Sequence, residues 1–364
     1  MARYHSHQLY TYCLPYFKPV RWSDIVEHQA EFVALAVTLD SGHTGWGEIT
    51  VKPTWNGATV RLLQAGLEDI LIPRMRELEF SSPDEVYWRL ASIPENHAAK
   101  ALIDNALWDA HAQAQGQPLW AAWGGRDTVE LSWTVTRQPP LEMAREAVAY
   151  LERHGFRTLK IKGGQGLDID VAAMREIRAA VGDRIRLYVD ANGAYAMEDA
   201  AAYVSAMANA GCVVVEDPAA LAPGQAFQAL QETSPVPVLV DFGLESARDL
   251  RLFLERGARA ISLKPGRFGL SFTRWLASEA HAAGATASVG LFGESSLGTL
   301  AALQLASTLP TTALPAEVTW FLSMTEQLLT EPLVIRDGCV TLSAANTGAT
   351  RIDQNRLTPL RWAG

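Results

Sequence analysis

The sequence predicts an α/β protein in which parallel strands and helices alternate to form a barrel, preceded by a smaller α+β region. Five apolar runs in the middle of the chain each end on a charged residue, and these charges follow one another 23 to 28 residues apart. Continuous apolar runs are typical of parallel strands, because helices cover the outer face of the sheet. No glycine-rich phosphate loop follows the first strand, which favours a closed barrel over an open dinucleotide-binding sheet.

The first part of the chain, residues 1 to about 55, is predicted to be a meander of strands. The run 31–39 is rich in strand-forming residues, turn residues follow it, and 44–48 begins the return strand. The run 98–115 has apolar residues at helical spacing and ends at Gly116, just before a proline. These elements make up the expected α+β region.

From residue 129 to about 320 the patterns of strand and helix alternate, which indicates a parallel sheet. A first strand at 130–134 gives seven clear strand–helix units, with a weaker eighth strand near 313–319. The helices are expected near 141–154, 168–181, 197–210, 225–232, 246–256, 270–283 and 295–307.

Three segments follow from these patterns. Residues 1–125 form an N-terminal α+β domain, and residues 126–325 form the barrel. The tail, 326–364, has hairpin-like segments and is expected to return to the N-terminal domain. A chain of 364 residues is long enough for one large domain and a smaller one.

The composition is that of a globular protein, with 48% hydrophobic and 20% charged residues. The net charge of −9 argues against a nucleic-acid partner. Cys13, Cys212 and Cys339 are too few and too widely spaced for a disulfide framework or a zinc site. The first residues lack the apolar core of a signal peptide, and no apolar stretch approaches the roughly 20 residues that span a bilayer. We therefore expect a soluble cytoplasmic protein that binds neither membranes nor nucleic acid.

Charged residues end the predicted strands at the carboxyl edge, where parallel barrels place their chemistry. Lys160 and Lys162 alternate with apolar neighbours along one strand, so both side chains point to the same face. If that face is the interior, both ammonium groups need partners, because lysines are almost never buried alone. The acids that end the next three strands are available: Asp190, Glu216 and Asp241.

These three acids are predicted to converge on one point and to bind a metal ion. Close carboxylates repel one another unless a cation neutralises them. An all-oxygen set with room for water and substrate suits Mg²⁺, with Mn²⁺ as a substitute.

Lys264 ends a later strand and is predicted to face Lys162 across the mouth of the barrel. A partly desolvated lysine near a divalent cation has its ammonium form disfavoured, so it can act as a base near neutral pH. A carboxylate substrate that binds the metal would have a more acidic α-proton. The constellation therefore favours proton abstraction from a small-molecule carboxylate.

Several short motifs occur along the chain in a fixed order. They are Gly45-Trp46-Gly47-Glu48, residues 101–109, Lys160-Ile161-Lys162, Asp190-Ala191-Asn192, Glu216-Asp217-Pro218, Asp241, Lys264-Pro265 and residues 293–299. In this order they resemble the enolase superfamily, in the muconate-lactonizing subgroup of the mandelate racemase/muconate lactonizing enzyme family. The resemblance covers essentially the whole chain. It implies a (β/α)7β modified TIM barrel with an N-terminal α+β capping domain, formed by residues 1–125.

The resemblance also implies a role for each charged residue. Lys162 and Lys264 are the acid/base pair on opposite faces of the substrate, and Lys160 helps to polarise its carboxylate. The three strand-end acids hold Mg²⁺, and Asn192 supports that ligand shell. For Lys160 an ion pair in the barrel interior is the alternative.

Four further positions either match or depart from the family pattern. Glu294 and Glu317 fall where the cycloisomerases carry glutamates on the last two strands, although Glu294 could instead be a helix-terminal acid. Phe242 occupies the place where a second acid usually follows the third ligand. Arg267 lies in a stretch that is usually glycine-rich, and it could bind a second substrate carboxylate or be a solvated surface charge.

Two stretches of the N-terminal domain are expected to cap the site and set specificity. The loop 17–26 offers Trp22 with Lys18 and Arg21, and the stretch 52–56 offers Trp55. Lys18 and Arg21 are alternatively surface charges. The paired aspartates with which several dipeptide epimerases hold a free amino terminus are absent around residues 316–318.

The leading prediction is a cycloisomerase of the muconate type that abstracts an α-proton through a metal-stabilised enolate. The alternatives are an N-acylamino-acid racemase, an o-succinylbenzoate synthase or a dipeptide epimerase, because the same two lysines serve all of these reactions. A catalytically inactive binding protein on the same barrel is an alternative of another class, suggested by Phe242. A homo-oligomer is expected.

Overall fold

The computed structural model describes residues 1–22, 25–311, 314–342 and 351–361. The strands of the N-terminal domain are β1 (Ala2–Trp22), β2 (Ile25–Leu39), β3 (Thr44–Thr50) and β4 (Glu79–Phe80). Its helices are α1 (Pro53–Asn56), α2 (Val60–Ala65), α3 (Ile72–Met75), α4 (Pro83–Ala91), α5 (His97–Gln115) and α6 (Leu119–Ala122), with a π-helical segment, Gly66–Leu71, between α2 and α3.

The glycines of the Gly-Trp-Gly-Glu motif bring β3 into close contact with α5. A Cβ atom at Gly45 would overlap the backbone of Ala110, and one at Gly47 would overlap the carbonyl of Leu102. Both partners lie on α5, whose C-terminus is the left-handed Gly116, as the sequence predicts. The motif therefore serves the packing of a helix on an antiparallel sheet.

Strands and helices alternate through the barrel. The strands are β5 (Thr128–Glu130), β6 (Trp133–Val135), β7 (Thr158–Lys162), β8 (Arg186–Asp190), β9 (Cys212–Glu216), β10 (Val238–Val240), β11 (Ala260–Leu263) and β12 (Thr286–Val289). The helices are α7 (Pro140–His154), α8 (Leu167–Val181), α9 (Met197–Asn209), α10 (Gln225–Thr233), α11 (Ala247–Glu255), α12 (Pro265–Phe268), α13 (Leu270–Ala282) and α14 (Ser296–Ala306).

The parallel sheet runs in the order β6 to β12 and is closed by a short extended segment. Glu317 N donates to Val289 O at 2.8 Å on one side of this segment. On the other side, Ser132 N donates to Ala316 O at 3.0 Å. The fold is the expected α/β barrel with an N-terminal α+β domain.

The C-terminal tail contacts both domains. Strand β13 (Cys339–Thr341) pairs antiparallel with β5, and β14 (Thr358–Pro359) pairs antiparallel with β1. Short 3₁₀ helices span Trp320–Ser323 and Gln354–Arg356. None of the described helices is both long and apolar enough to cross a membrane.

Three local predictions need correction. The predicted first strand, 130–134, is divided between two elements, because β5 pairs with the distant β13 whereas β6 pairs with β7 in the parallel sheet. The predicted eighth strand begins at residue 313, outside the described residues, and 314–319 forms a single bridge, Leu131 to Ala316, instead of a strand. The predicted loop 17–26 is largely the end of a β1–β2 hairpin, in which Val20 pairs with Glu27.

A buried polar contact joins α5 of the N-terminal domain to the start of α13 in the barrel. Asp104 Oδ2 accepts from Ser271 N at 2.7 Å, and its Oδ1 accepts from Ser271 Oγ at 2.6 Å. Burial raises the pKa of Asp104 to about 7, although the bonds from Ser271 favour the carboxylate. The carboxyl group therefore loses its proton in the folded protein only near neutral pH.

Replacing Asp104 by Asn should remove a pH-dependent part of the stability. The raised pKa means that Asp104 contributes most at acidic pH, and that this contribution is lost as the pH rises through about 7. The neutral amide can still accept from Ser271 N but does not titrate. The free energy of unfolding of Asp104→Asn minus that of wild type should therefore increase by about 2 to 3 kcal/mol from about pH 5 to about pH 8. Urea unfolding at both pH values measures this, with exposed Asp69→Asn as the control. Parallel pH curves for wild type and Asp104→Asn would contradict it.

Candidate active site

The charged ends of five strands lie at one edge of the barrel. Lys162, Asp190 and Glu216 are the last residues of β7, β8 and β9. Asp241 and Lys264 directly follow β10 and β11. In the parallel register Lys162 pairs with Asp190, and Asp190 with Glu216, so these ends are level. All five side chains are buried except that of Lys162, which is half-buried.

Lys160 lies inside the barrel, as the strand alternation predicts. Its Nζ lies within 3.0 Å of three carboxylates, those of Asp190, Glu216 and Glu317. Burial alone would favour the neutral amine, but the three carboxylates outweigh it and raise the pKa of Lys160 well above its usual value. Lys160 therefore remains a cation. This geometry fits an interior ion pair and also leaves a positive charge beside the site.

Lys162 is held at the edge of the barrel by two neighbours. Its Nζ donates to Asp190 Oδ2 at 2.6 Å and to Asn192 Oδ1 at 3.3 Å. Asn192 has a left-handed backbone, φ +50°, and its backbone N donates to Asp190 Oδ1 at 2.8 Å. Arg137, which the sequence analysis missed, donates to Asn192 Oδ1 at 3.1 Å. The other hydrogen bonds of Arg137 go to the backbone carbonyls of Gly163 and Ala191. Any residue can supply a backbone carbonyl, so the sequence carries no motif that identifies Arg137.

The acids at the strand ends differ in their electrostatic environment. Burial raises the pKa of Asp190, but the ammonium groups of Lys160 and Lys162 reverse this and hold it well below the usual value. Burial and the negative charge of Asp190 and Asp241 raise the pKa of Glu216 well above normal. Lys160 alone therefore does not balance the charge at Glu216.

Glu216 provides the test of whether these residues fit a metal ion. Its Oε1 is buried, and no described residue donates a hydrogen bond to it. An additional cation would satisfy this oxygen and offset the repulsion from Asp190 and Asp241, and an all-oxygen set suits Mg²⁺. Among the described residues, no group of three Asp, Glu, His or Cys side chains is arranged around a single metal position. Instead the Lys160 ammonium group lies among the carboxylates.

Asp217 fixes the third acid, a role that the sequence analysis missed. Its buried carboxylate accepts from Asp241 N at 3.1 Å and from Phe242 N at 2.8 Å. Burial and the charge of Asp241 raise the pKa of Asp217 to about 7. The Glu-Asp-Pro motif was the available signal, because Asp217 directly follows a strand-end acid.

Lys264 lies against three aromatic rings and one acid. Its Nζ donates to Asp241 Oδ2. The ring centroids of Phe242, Trp55 and Phe292 lie 5.4, 5.7 and 6.0 Å from that Nζ, within the range of cation–π interaction. Phe242 therefore adds an aromatic surface where the family usually has an acid. Trp55, predicted as a capping residue, does reach this lysine.

The two predicted glutamates occupy different places. Glu317 lies in the barrel interior, where Oε1 accepts from Thr134 Oγ at 2.8 Å and Oε2 accepts from Lys160. Glu294 Oε2 accepts from Phe292 N at 2.8 Å, and its buried Oε1 has no partner among the described residues. Burial raises the pKa of Glu294 to about 7. The N-cap of α14 is Ser295, so the helix-cap alternative for Glu294 is wrong.

The remaining candidates are less tightly connected to the site. The Arg267 guanidinium lies 6.0 Å from the Phe242 ring centroid and 4.7 Å from that of Phe268, with 18% of its side chain exposed. Lys18 is 63% exposed and pairs with Glu146 at 3.2 Å, as a surface charge would. The side chains of Arg21 and Trp22 lie outside the described residues.

Comparison with protein families decides the family. The model described as enolase C-terminal domain-like matches residues 142–349, and that of the mandelate racemase / muconate lactonizing enzyme N-terminal domain matches 9–124. The chain belongs to the enolase superfamily. Together the two matches confirm the predicted mandelate racemase/muconate lactonizing enzyme family, and the relatives described next place the chain in its muconate-lactonizing subgroup.

Relatives in this enolase family carry several activities. The chain is 30% identical to an L-Ala-D/L-Glu epimerase of Bacillus subtilis over 81% of its own length and 82% of that protein. It is 30% identical to muconate cycloisomerase 1 of Rhodococcus opacus, over 90% of each chain. A muconate lactonizing enzyme of Pseudomonas fluorescens, solved with muconolactone, superposes with a TM-score of 0.89 at 25% identity, over 98% of each chain.

Proposed function

We propose that this enolase-superfamily chain is a Mg²⁺-dependent isomerase or lyase that removes the α-proton of a small-molecule carboxylate, as muconate cycloisomerases do. The observation that carries the proposal is the placement of two lysines. Lys162 ends β7 and Lys264 follows β11, with three strands between them in the sheet. Each ammonium group contacts an acid of the proposed ligand set, Asp190 or Asp241.

The chain's own residues then have distinct tasks. Asp190, Glu216 and Asp241 would hold the metal ion, for which Mn²⁺ is a substitute. When bound, Mg²⁺ would offset the negative charge that builds on the substrate carboxylate as the α-proton leaves. Lys162 and Lys264 would hold or accept that proton on opposite faces of the substrate. The proposed role of Lys160 is to add positive charge beside the carboxylate.

The alternative reactions use the same lysines. An N-acylamino-acid racemase, an o-succinylbenzoate synthase and a dipeptide epimerase all remain candidates, and relatives include an epimerase and a muconate cycloisomerase. The dipeptide-epimerase alternative is disfavoured because no pair of aspartates lies around residues 316–318. An inactive binding protein is the candidate of another class, for which the aromatic surface formed by Phe242 is the supporting feature.

Solvent isotope exchange tests the proposal without a known product. We expect the protein with Mg²⁺ in D₂O to incorporate deuterium at the α-carbon of one or more members of a panel of muconolactones, N-acyl amino acids, dipeptides and succinylbenzoate precursors. The products formed from the exchanging member then distinguish racemisation, cyclisation and dehydration. Tight binding of a carboxylate without any exchange would favour the binding-protein alternative instead.

A further inference from the structure

The residues after Lys264 form a short buried turn, residues 264–270, which we call the Lys264 turn. It contains the single helical turn α12, whose Arg267 N and Phe268 N both donate to Lys264 O, at 2.9 and 3.0 Å. Gly269 N then donates to Pro265 O at 2.9 Å, and α13 begins at the next residue. The backbone of Lys264 is therefore part of this turn.

One side chain from the N-terminal domain joins both ends of the Lys264 turn. Asn105 on α5 donates from Nδ2 to Pro265 O at 3.1 Å and accepts at Oδ1 from Leu270 N at 3.0 Å. Asn105 is buried, so without it Leu270 N would lose this hydrogen bond, and Pro265 O would keep only the bond from Gly269 N. Its neighbour Asp104 accepts from the following residue, Ser271, through both carboxylate oxygens.

The Lys264 turn also has little free space on either side. Gly269 has a left-handed φ of +83°, and a Cβ atom there would lie 2.6 Å from Asp104 Oδ2. A Cβ atom at Gly266 would lie 2.8 Å from Glu294 Oε1. The turn is thus enclosed between α5 and Glu294, and a close-packed interior transmits displacements instead of absorbing them.

We infer that Asn105, supported by Asp104, is a positioning residue for Lys264. The inference rests on the proposed function, in which Lys264 exchanges a proton with substrate. Proton transfer depends on distances of a fraction of an ångström, so a turn that shifts would misplace the ammonium group. Lys162 has its own supports within the barrel, Asp190 and Asn192, and none of them lies on α5. Loss of Asn105 should therefore impair one lysine and spare the other.

Asn105→Leu tests this inference, with Gln304→Met as the matched control. Leucine has the shape of asparagine but makes neither hydrogen bond. Gln304 is also buried and also bonds across the two domains, since its Oε1 accepts from Trp120 N at 3.0 Å, but among the described residues it makes no hydrogen bond with the Lys264 turn. Crystal structures of both variants with Mg²⁺ should show Lys264 Nζ withdrawn from Asp241 by about 1 Å or more in Asn105→Leu only.

Kinetics provide the second readout. Asn105→Leu should lower kcat by about tenfold or more while KM changes by less than about threefold. Deuterium exchange should slow on the substrate face served by Lys264 and continue on the face served by Lys162. A purely structural role would lower the melting temperature of both variants without this one-sided loss.

The outcomes separate this inference from the proposed function. If Lys264 does not move in Asn105→Leu, the inference is overturned whatever the substrate is. The inference is also overturned if Lys264 moves in Asn105→Leu but kcat is unchanged, or if Gln304→Met loses as much kcat as Asn105→Leu. If wild type exchanges no carboxylate, the proposed function fails, and the crystal structures still decide whether Asn105 positions Lys264. If Asn105→Leu does not fold, Asn105→Ala, which also removes both hydrogen bonds, takes its place in each comparison.

Discussion

Replacing Glu216 by Gln should abolish turnover while the barrel still folds. Within the proposed ligand set, Glu216 has a buried Oε1 that accepts no hydrogen bond from any described residue, and burial with the charges of Asp190 and Asp241 keeps its pKa raised. The amide has the same shape but brings no negative charge, so the proposed ligand set loses a third of its charge and an anionic oxygen. Because changes outside the ligand shell already reduce activity about 10- to 100-fold, loss of a ligand should cost more than about 100-fold.

Metal binding gives a readout of Glu216→Gln that does not depend on a substrate. An ion that binds only the folded protein raises the melting temperature as its concentration increases. We expect Mg²⁺ to do this for wild type and for the control Glu198→Gln, an exposed glutamate of α9, and to have little effect on Glu216→Gln. Full activity of wild type in excess EDTA would rule out the proposed metal site.

The strand ends could be predicted because they follow from local pattern alone. An apolar run that closes with a charge determines both the strand and the side of the barrel on which that charge lies. The observed ends at Lys162, Asp190 and Glu216 agree with this, as do helix bounds within about two residues of prediction. The first strand was misjudged because the pairing of β5 depends on β13, about 200 residues away in sequence.

The supporting contacts could not be read from the sequence, because each joins parts of the chain that are distant in sequence. Asp104 bonds to the start of a helix 167 residues later, whereas capping patterns are recognised only within a few residues. Asn192 is recognisable from its motif, but Arg137 reaches it from a loop after another strand. The three carboxylates around Lys160 likewise depend on Glu317, in the segment that closes the barrel.

Phe242 illustrates a limit of reasoning from resemblance. The missing acid could be noted from the sequence, but the position of its replacement could not. In the structure the Phe242 ring lies with Trp55 around the Lys264 ammonium group, and the two ring centroids are 6.3 Å apart. The departure from the family pattern therefore changes the surroundings of a proposed acid/base residue and leaves the charged set itself complete.

Lys162→Ala and Lys264→Ala should each lose turnover by about 10²- to 10⁴-fold, the usual contribution of a positioned acid or base. Three strands separate β7, which ends at Lys162, from β11, which Lys264 follows, so neither ammonium group should be able to take the place of the other. Each also compensates one acid, Asp190 or Asp241, so its loss adds negative charge beside the proposed metal ion. Lys100→Ala, which removes a buried lysine of α5 whose ammonium group donates to Ile93 O, is the matched control.

The pattern of deuterium exchange then distinguishes the reactions. In a racemase each lysine serves one enantiomer, so Lys162→Ala and Lys264→Ala should both lose turnover in the two directions while one variant keeps α-exchange with a single enantiomer. In a cycloisomerase or lyase one lysine should be essential for proton transfer, and the other should act mainly through its charge. Replacing each lysine by arginine separates these roles, because arginine keeps the positive charge but does not give up its proton. Lys→Arg should therefore retain activity at the lysine that acts through its charge and lose activity at the lysine that transfers the proton. If either alanine variant turned over substrate at close to the wild-type rate, the opposed-lysine arrangement would not be the catalytic one.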